Sequence, residues 1–465
     1  MKKLTFLAGL LTLSSQAGAL PQTLDCAANA QNPRCVSQSM PDGAGTVGSG
    51  PTFYQGGSSD DLLGGFVTAD GKKLIVAVNT LSVTGDKFGA VMEVDLDTGN
   101  RRVISGYLNA VESRGQGVPS GSYELYDLGN VSDVNPLPGG DLVAYSAGQA
   151  IRIDGRTGNR TLLWTSKTSS DISVRDGAER KYAAGLLPGA AGSVPTPNLN
   201  VSTPLGNVNL GSLFGGGNST PAPAAAATGS GHLGNGYFCP QFTASERMPA
   251  IPRPNMATDA QGSIYLLHDN NPQGSGFALF KLDASKDYRC TVVSQFGTQG
   301  NNVKGSGLPW TTNVTSSGPL FGDLTLVGDT VYAAGGPNPN YVVVSINTKT
   351  GERSLVSGQR AGNGIQAFKK GSGDAMISDV VVHSGGVLYT TEEQVNADSF
   401  RLVRIDPKTG DRAAVPIKPN TPLASGFSSD IRLYSVPNST NLLVWFRDAL
   451  HLLDPKTGDN MILSR

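Results

Sequence analysis

Ile405-Asp406-Pro407-Lys408-Thr409-Gly410-Asp411-Arg412 reads as the end of an apolar strand, an Asp, a Thr-Gly turn and an Arg that opens a second strand. Val94-Asp95-Leu96-Asp97-Thr98-Gly99-Asn100-Arg101 writes the same grammar, as do residues 153–160, 346–353 and 453–460, with an eroded copy at 282–289. Gly after Thr fits a tight turn that needs positive φ. Recurrence at this spacing is the mark of an array of supersecondary units.

Each turn sits inside a longer unit. Around residues 405–412 it begins with Ser378-Asp379-Val380-Val381-Val382, a Ser384-Gly385-Gly386 turn and Val387-Leu388-Tyr389-Thr390-Thr391. Phe400 to Asp406 and Arg412 to Val415 complete four strands of hairpin-linked antiparallel sheet. The same reading places units near 62–106, 123–165, 253–297, 321–358, 376–416 and 427–465. A four-stranded sheet cannot bury both faces alone, so the copies must stack. The expected fold is all-β, a six-bladed β-propeller of four-stranded antiparallel blades, whose ring leaves only short edges. An open β-solenoid, the rival, has shorter and more uniform repeats.

One departure is large. Residues 166–252 carry no turn repeat and are mostly Gly, Ala, Pro, Ser and Asn, a composition too poor in apolar surface to offset its ordering entropy. They form a low-complexity insertion between blades two and three, readable as a lid or partner-binding loop or as a solvated linker.

Lys2 and Lys3, the apolar run Leu4 to Leu13 and Ala17-Gly18-Ala19 read as a signal peptide over residues 1–19, followed by a partly flexible extension, 20–61. The expectation is an exported protein, periplasmic, cell-surface associated or extracellular, with no transmembrane segment in the mature chain. An even set of four cysteines suits disulfides in such a compartment, and Cys26–Cys35 with Cys239–Cys290 is the preferred pairing. No pair has the short ligand spacing of a structural zinc site. The balance of 36 basic and 37 acidic residues gives no field that would attract nucleic acid.

Polar residues recur at the starts of the inner strands: Asp133, Asn255, Asp323, Asp379 and Asp430. Inner strands line the channel of a propeller, so these groups are candidate oxygen ligands for Ca²⁺. Recurrence in five of six blades also fits Asp accepting bonds from neighbouring backbone N–H groups, a structural role. By strand alternation His383 shares a face with Asp379, as a general base or as a hydrogen-bonded channel histidine. Trp310, in a loop after Leu308-Pro309, is the one Trp placed to bind a ligand, packing being the alternative for all three. The dinucleotide-type glycine patterns at 43–48 and 229–234 open no helix after a strand and read as chance matches.

The Asp-Pro-Lys-Thr-Gly and Asp-Leu-Asp-Thr-Gly turns resemble those of secreted bacterial propellers, including quinoprotein-type repeats. The chain lacks the Trp that closes that repeat and has six copies rather than eight. The channel-mouth Asp/Asn pattern is similar to that of six-bladed, calcium-dependent lactonases of the gluconolactonase-like group. That resemblance implies Asp133, Asn255, Asp323 and Asp379 as metal ligands and His383 as a base. The group's first-blade Glu is replaced here by Gly64 or Gly65, with Asp60 and Asp61 nearby. With no complete catalytic set, the expectation is a non-enzymatic binding or scaffold propeller of the cell envelope, engaging an envelope protein or small ligand. A calcium-dependent lactonase or esterase is the alternative.

Overall fold

The computed structural model describes residues 26, 28, 32–35, 47–51, 62–81, 87–107, 113–115, 131–146, 149–168, 200–203, 206–209, 232–234, 256–269, 277–286, 288–296, 302–307, 320–336, 342–360, 368–370, 376–377, 382–393, 400–424, 431–446 and 449–465. They form a six-bladed β-propeller of antiparallel sheets. Blade one runs outward through Leu62–Val67, Lys73–Leu81, Lys87–Asp95 and Arg101–Tyr107. Inner strands of later blades include Val131–Pro136, Met256–Thr258, Leu320–Val327 and Arg432–Ser435; in blade five Met376–Ile377 and Val382–Ser384 both pair with Val387–Glu393.

Blades one to four each add a short fifth strand on the outside: Ser113–Arg114, His232–Gly234, Asn302–Lys304 and Phe368–Lys370. The second of these lies within the compositionally poor stretch and pairs with Arg160–Thr168. The same stretch also holds a hairpin, Asn200–Thr203 with Gly206–Asn209.

Alternation along the strands gives every blade an apolar residue for each neighbour. Leu74, Val76 and Val78 face blade six, while Ile75 and Ala77 face blade two. Separate apolar clusters fill all six junctions, including the one between blade six and blade one, where Trp445, Leu450 and Leu463 meet Met92, Val94 and Leu96. The ring is closed.

The Thr-Gly turns are anchors of those junctions as well as hairpins. In each, the leading Asp or Asn accepts backbone N–H bonds from residues two or three further on: Asp95 from Asp97 and Thr98, Asp154 from Arg156 and Thr157, Asn347 from Lys349 and Thr350. Of the Arg side chains that follow, Arg101, Arg160 and Arg353 are buried and Arg412 is half-buried. Arg160 Nη1 donates to Ser105 Oγ of the preceding blade at 3.0 Å, and that hydroxyl donates to the Gly158 carbonyl at 2.6 Å. Arg353, Ser294 and Gly351 repeat the arrangement, as do Arg412, Ser357 and Gly410. Arg101, Ser464 and Gly99 repeat it across the closing junction. The serine reaches its partner because the outer strand bulges by one residue just before it, re-aiming the side chain.

Blade three departs from the sequence alignment. Its turn is one residue longer, Tyr288 takes the glycine's place at φ 58, and Cys290, not Arg289, pairs with Leu282 where Arg101 pairs with Val94. The facing residue of blade two is Trp164 instead of Ser, and Trp164, Tyr288 and Cys290 pack together. An apolar contact replaces the polar triad here.

Closure is made by the N-terminal segment. The Arg465 N–H donates to the Val47 carbonyl at 3.0 Å, and the Arg101 N–H donates to the Ser49 carbonyl at 2.7 Å. Gly48 (φ +84) lies so close to the Gly99 carbonyl that a Cβ would overlap it. Gly305 (φ +76) makes the same approach to Gly351, and the Arg353 N–H donates to the Ser306 carbonyl at 2.9 Å. Val47-Gly48-Ser49-Gly50 thus does for blade six what Lys304-Gly305-Ser306-Gly307 does for blade three.

Candidate functional site at the channel mouth

Asp133 is 3% exposed at a bulge in the inner strand of blade two, where Val131 pairs with Ser146 and Asp133 with Tyr145. Its Oδ1 accepts the Val134 N–H at 2.8 Å, and its Oδ2 accepts the Met256 N–H of blade three at 2.7 Å. Asn135 Nδ2 donates both to Asp133 Oδ2, at 3.2 Å, and to the Met256 carbonyl, at 3.0 Å. Side chains therefore lace two inner strands that share no ladder. On the other side, Gly64 of blade one is pressed against the Asp133 carboxylate, leaving no room for a Cβ. Tyr434 makes a related link, its hydroxyl donating to the Leu63 carbonyl at 2.8 Å between blades six and one.

Asp323 lies on the inner strand of blade four, next to a register shift in the same place as that at Asp133. A bulge at equivalent points of both strands gives the recurring Asp a common backbone setting. Asn255, Asp379, Asp430 and Trp310 lie outside the described residues, as do Asp60 and Asp61. His383 is half-buried in blade five and stacks on Tyr332 of blade four, with ring centroids 6.4 Å apart and planes 3° from parallel. Burial holds its pKa below the usual histidine value, so the ring is neutral at pH 7.

Cys26 and Cys35 are joined in a disulfide, and both side chains sit in the cluster between blades six and one. Cys290 is disulfide-bonded as well; its expected partner, Cys239, lies outside the described residues. No described helix is long and apolar enough to cross a membrane.

Sequence reading overlooked Asn135, Tyr434, the buried Ser–Arg pairs and the Gly-x-Gly latch. The latch left a signal: Gly48-Ser49-Gly50, Gly115-Gln116-Gly117, Gly234-Asn235-Gly236, Gly305-Ser306-Gly307 and Gly371-Ser372-Gly373 give five copies for six blades, with none after blade five. Gly48 and Gly234, which close the two dinucleotide-like patterns, belong to this series.

No family model matches the chain, and no curated protein matches it. Among solved structures it is similar to TolB from Acinetobacter baumannii, with 9% identity over 84% of this chain and 63% of that one and a TM-score of 0.43. It is also similar to a nidogen/laminin complex, with 9% identity over 81% and 84% of the two chains and a TM-score of 0.36. A third is Kuenenia stuttgartiensis hydrazine synthase, with 11% identity over 86% and 80% and a TM-score of 0.38. The chain spans less than two thirds of the TolB chain.

Proposed function

We propose that this chain is an exported, non-enzymatic binding propeller of the cell envelope that engages a protein or small ligand through its channel face. The observation that carries the reading is the occupation of Asp133. Both of its oxygens are taken by N–H donors of two inner strands, and its carboxylate fills the space where a blade-one side chain would stand at Gly64. The calcium-dependent lactonase pattern needs a carboxylate there, whereas a Cβ at Gly64 would meet the Asp133 carboxylate, which supports the non-metal reading. A carboxylate spent on strand linkage stabilises a rigid rim, which is what a binding surface requires.

The test is thermal unfolding of the full chain in chelator and in millimolar Ca²⁺. The expected result is the same midpoint in both. Asp133→Ala is expected to cost about 1–3 kcal/mol, because the Val134 and Met256 N–H groups lose their acceptor, and the loss is the same in either buffer. A Ca²⁺-dependent rise in midpoint that Asp133→Ala abolishes would overturn the reading and favour the metal-dependent hydrolase. A ligand at 100 times its dissociation constant adds about 2.7 kcal/mol, which such a scan resolves.

A further inference from the structure

We infer that the Cys26–Cys35 bond is the closing step of the ring, so that blades six and one lock together only after these two thiols are oxidised. The inference rests on comparing the closing junction with an internal one. Between blades one and two, the Gly115 latch follows directly on the fifth strand of blade one, and its neighbour Arg114 donates through Nη2 to the Arg156 carbonyl in the turn of blade two at 2.6 Å. At the closing junction the latch is Gly48, and the residue in the place of Arg114 is Val47, which has no donor to offer. The equivalent turn carbonyl, Asp97 O, is met instead by Arg34 Nη2 at 2.8 Å. Arg34 is held by the disulfide loop, one residue before Cys35.

The two sulfurs of that loop are buried in the same junction. Cys26 is 3% exposed and Cys35 5%, both in the apolar cluster with Trp445, Met461 and Leu463 of blade six and Val94 of blade one. Cys26 Sγ lies 3.5 Å from the Asn460 carbonyl oxygen. Arg101 then ties both chain ends to blade one, donating to the carbonyls of Pro51, Val47 and Arg465 and to Ser464 Oγ.

An internal latch is covalently continuous with the blade it serves, so its local concentration is set by a short loop. The latch for blade six belongs to the other end of the chain and must be recruited. The disulfide restricts the free segment to conformations that present Arg34 and the buried sulfurs together. Oxidation by exchange with a protein disulfide balances simply. The two thiols give up two protons and two electrons, the acceptor disulfide becomes a dithiol, and the new bond is sealed under blade six.

The experiment is amide hydrogen exchange on the full chain, comparing wild type with the C26A/C35A variant, which retains Cys290. Peptides covering 460–465 and 99–104 are expected to exchange at least tenfold faster in the variant, while peptides over 342–347 keep the wild-type rate. Arg34→Ala, with its disulfide intact, is expected to give a smaller increase confined to the same two segments, and it decides the matter should C26A/C35A fail to fold. Unchanged exchange at 460–465 and 99–104, or an equal increase in all blades, would overturn the inference.

Discussion

Arg353 is 1% exposed, and burial pulls its pKa down to about 10, which still leaves it cationic at pH 7. Its bond to Ser294 Oγ, at 2.6 Å, therefore carries a buried charge between blades three and four. Ser294→Ala removes that acceptor and the donor to Gly351, and a loss of about 1–3 kcal/mol is expected in denaturant unfolding. His451 makes the opposite use of burial. It is fully buried in blade six, and desolvation, with Arg465 adding to it, lowers its pKa to about 3. The unfolded chain binds this proton near pH 6.5 and the native one does not. Stability is therefore whole above pH 6.5 and falls as pH drops below it, by about 1.4 kcal/mol per pH unit at most. Chemical unfolding between pH 6.5 and 5, above the carboxylate range, should show this slope, and His451→Leu should flatten it.

At the scale of the element, the Gly-x-Gly latch and the Thr-Gly turn form one device split between neighbouring blades. Gly48→Ala and Gly305→Ala each place a Cβ at positive φ against a turn carbonyl, and each is expected to destabilise by more than about 1 kcal/mol. They should differ in kind. In hydrogen exchange Gly48→Ala loosens 460–465 and leaves blade four alone, while Gly305→Ala loosens blade four's turn at 347–353. The turns were legible in the sequence because their Asp, Thr, Gly and Arg each leave a side-chain signature. The latch is legible only through its recurrence, since any one pair of glycines working through the backbone looks like any Gly-rich stretch, and residues 47–51 sit in one. The eroded blade-three turn misled by one position because Tyr288 supplies the left-handed conformation without a Gly to mark it.

For the whole molecule, six similar copies implied a ring before any contact was known, whereas the use of Asp133 could not be read. Its acceptor role depends on Met256, far along the chain and brought close only by the stacking of blades two and three. The closing junction has a consequence for connectivity. Val47 meets Arg465 as Arg114 meets Gly106, so these two residues occupy positions that blade one joins with residues 107–113. A linker of that length should fuse Arg465 to Val47 without moving either. New ends could then be cut just before Ser113, where Arg114-Gly115 would close blade one onto blade two. Such a circular permutant should fold to the same ring, because its latch for blade six would then be covalently continuous with that blade, as an internal latch is.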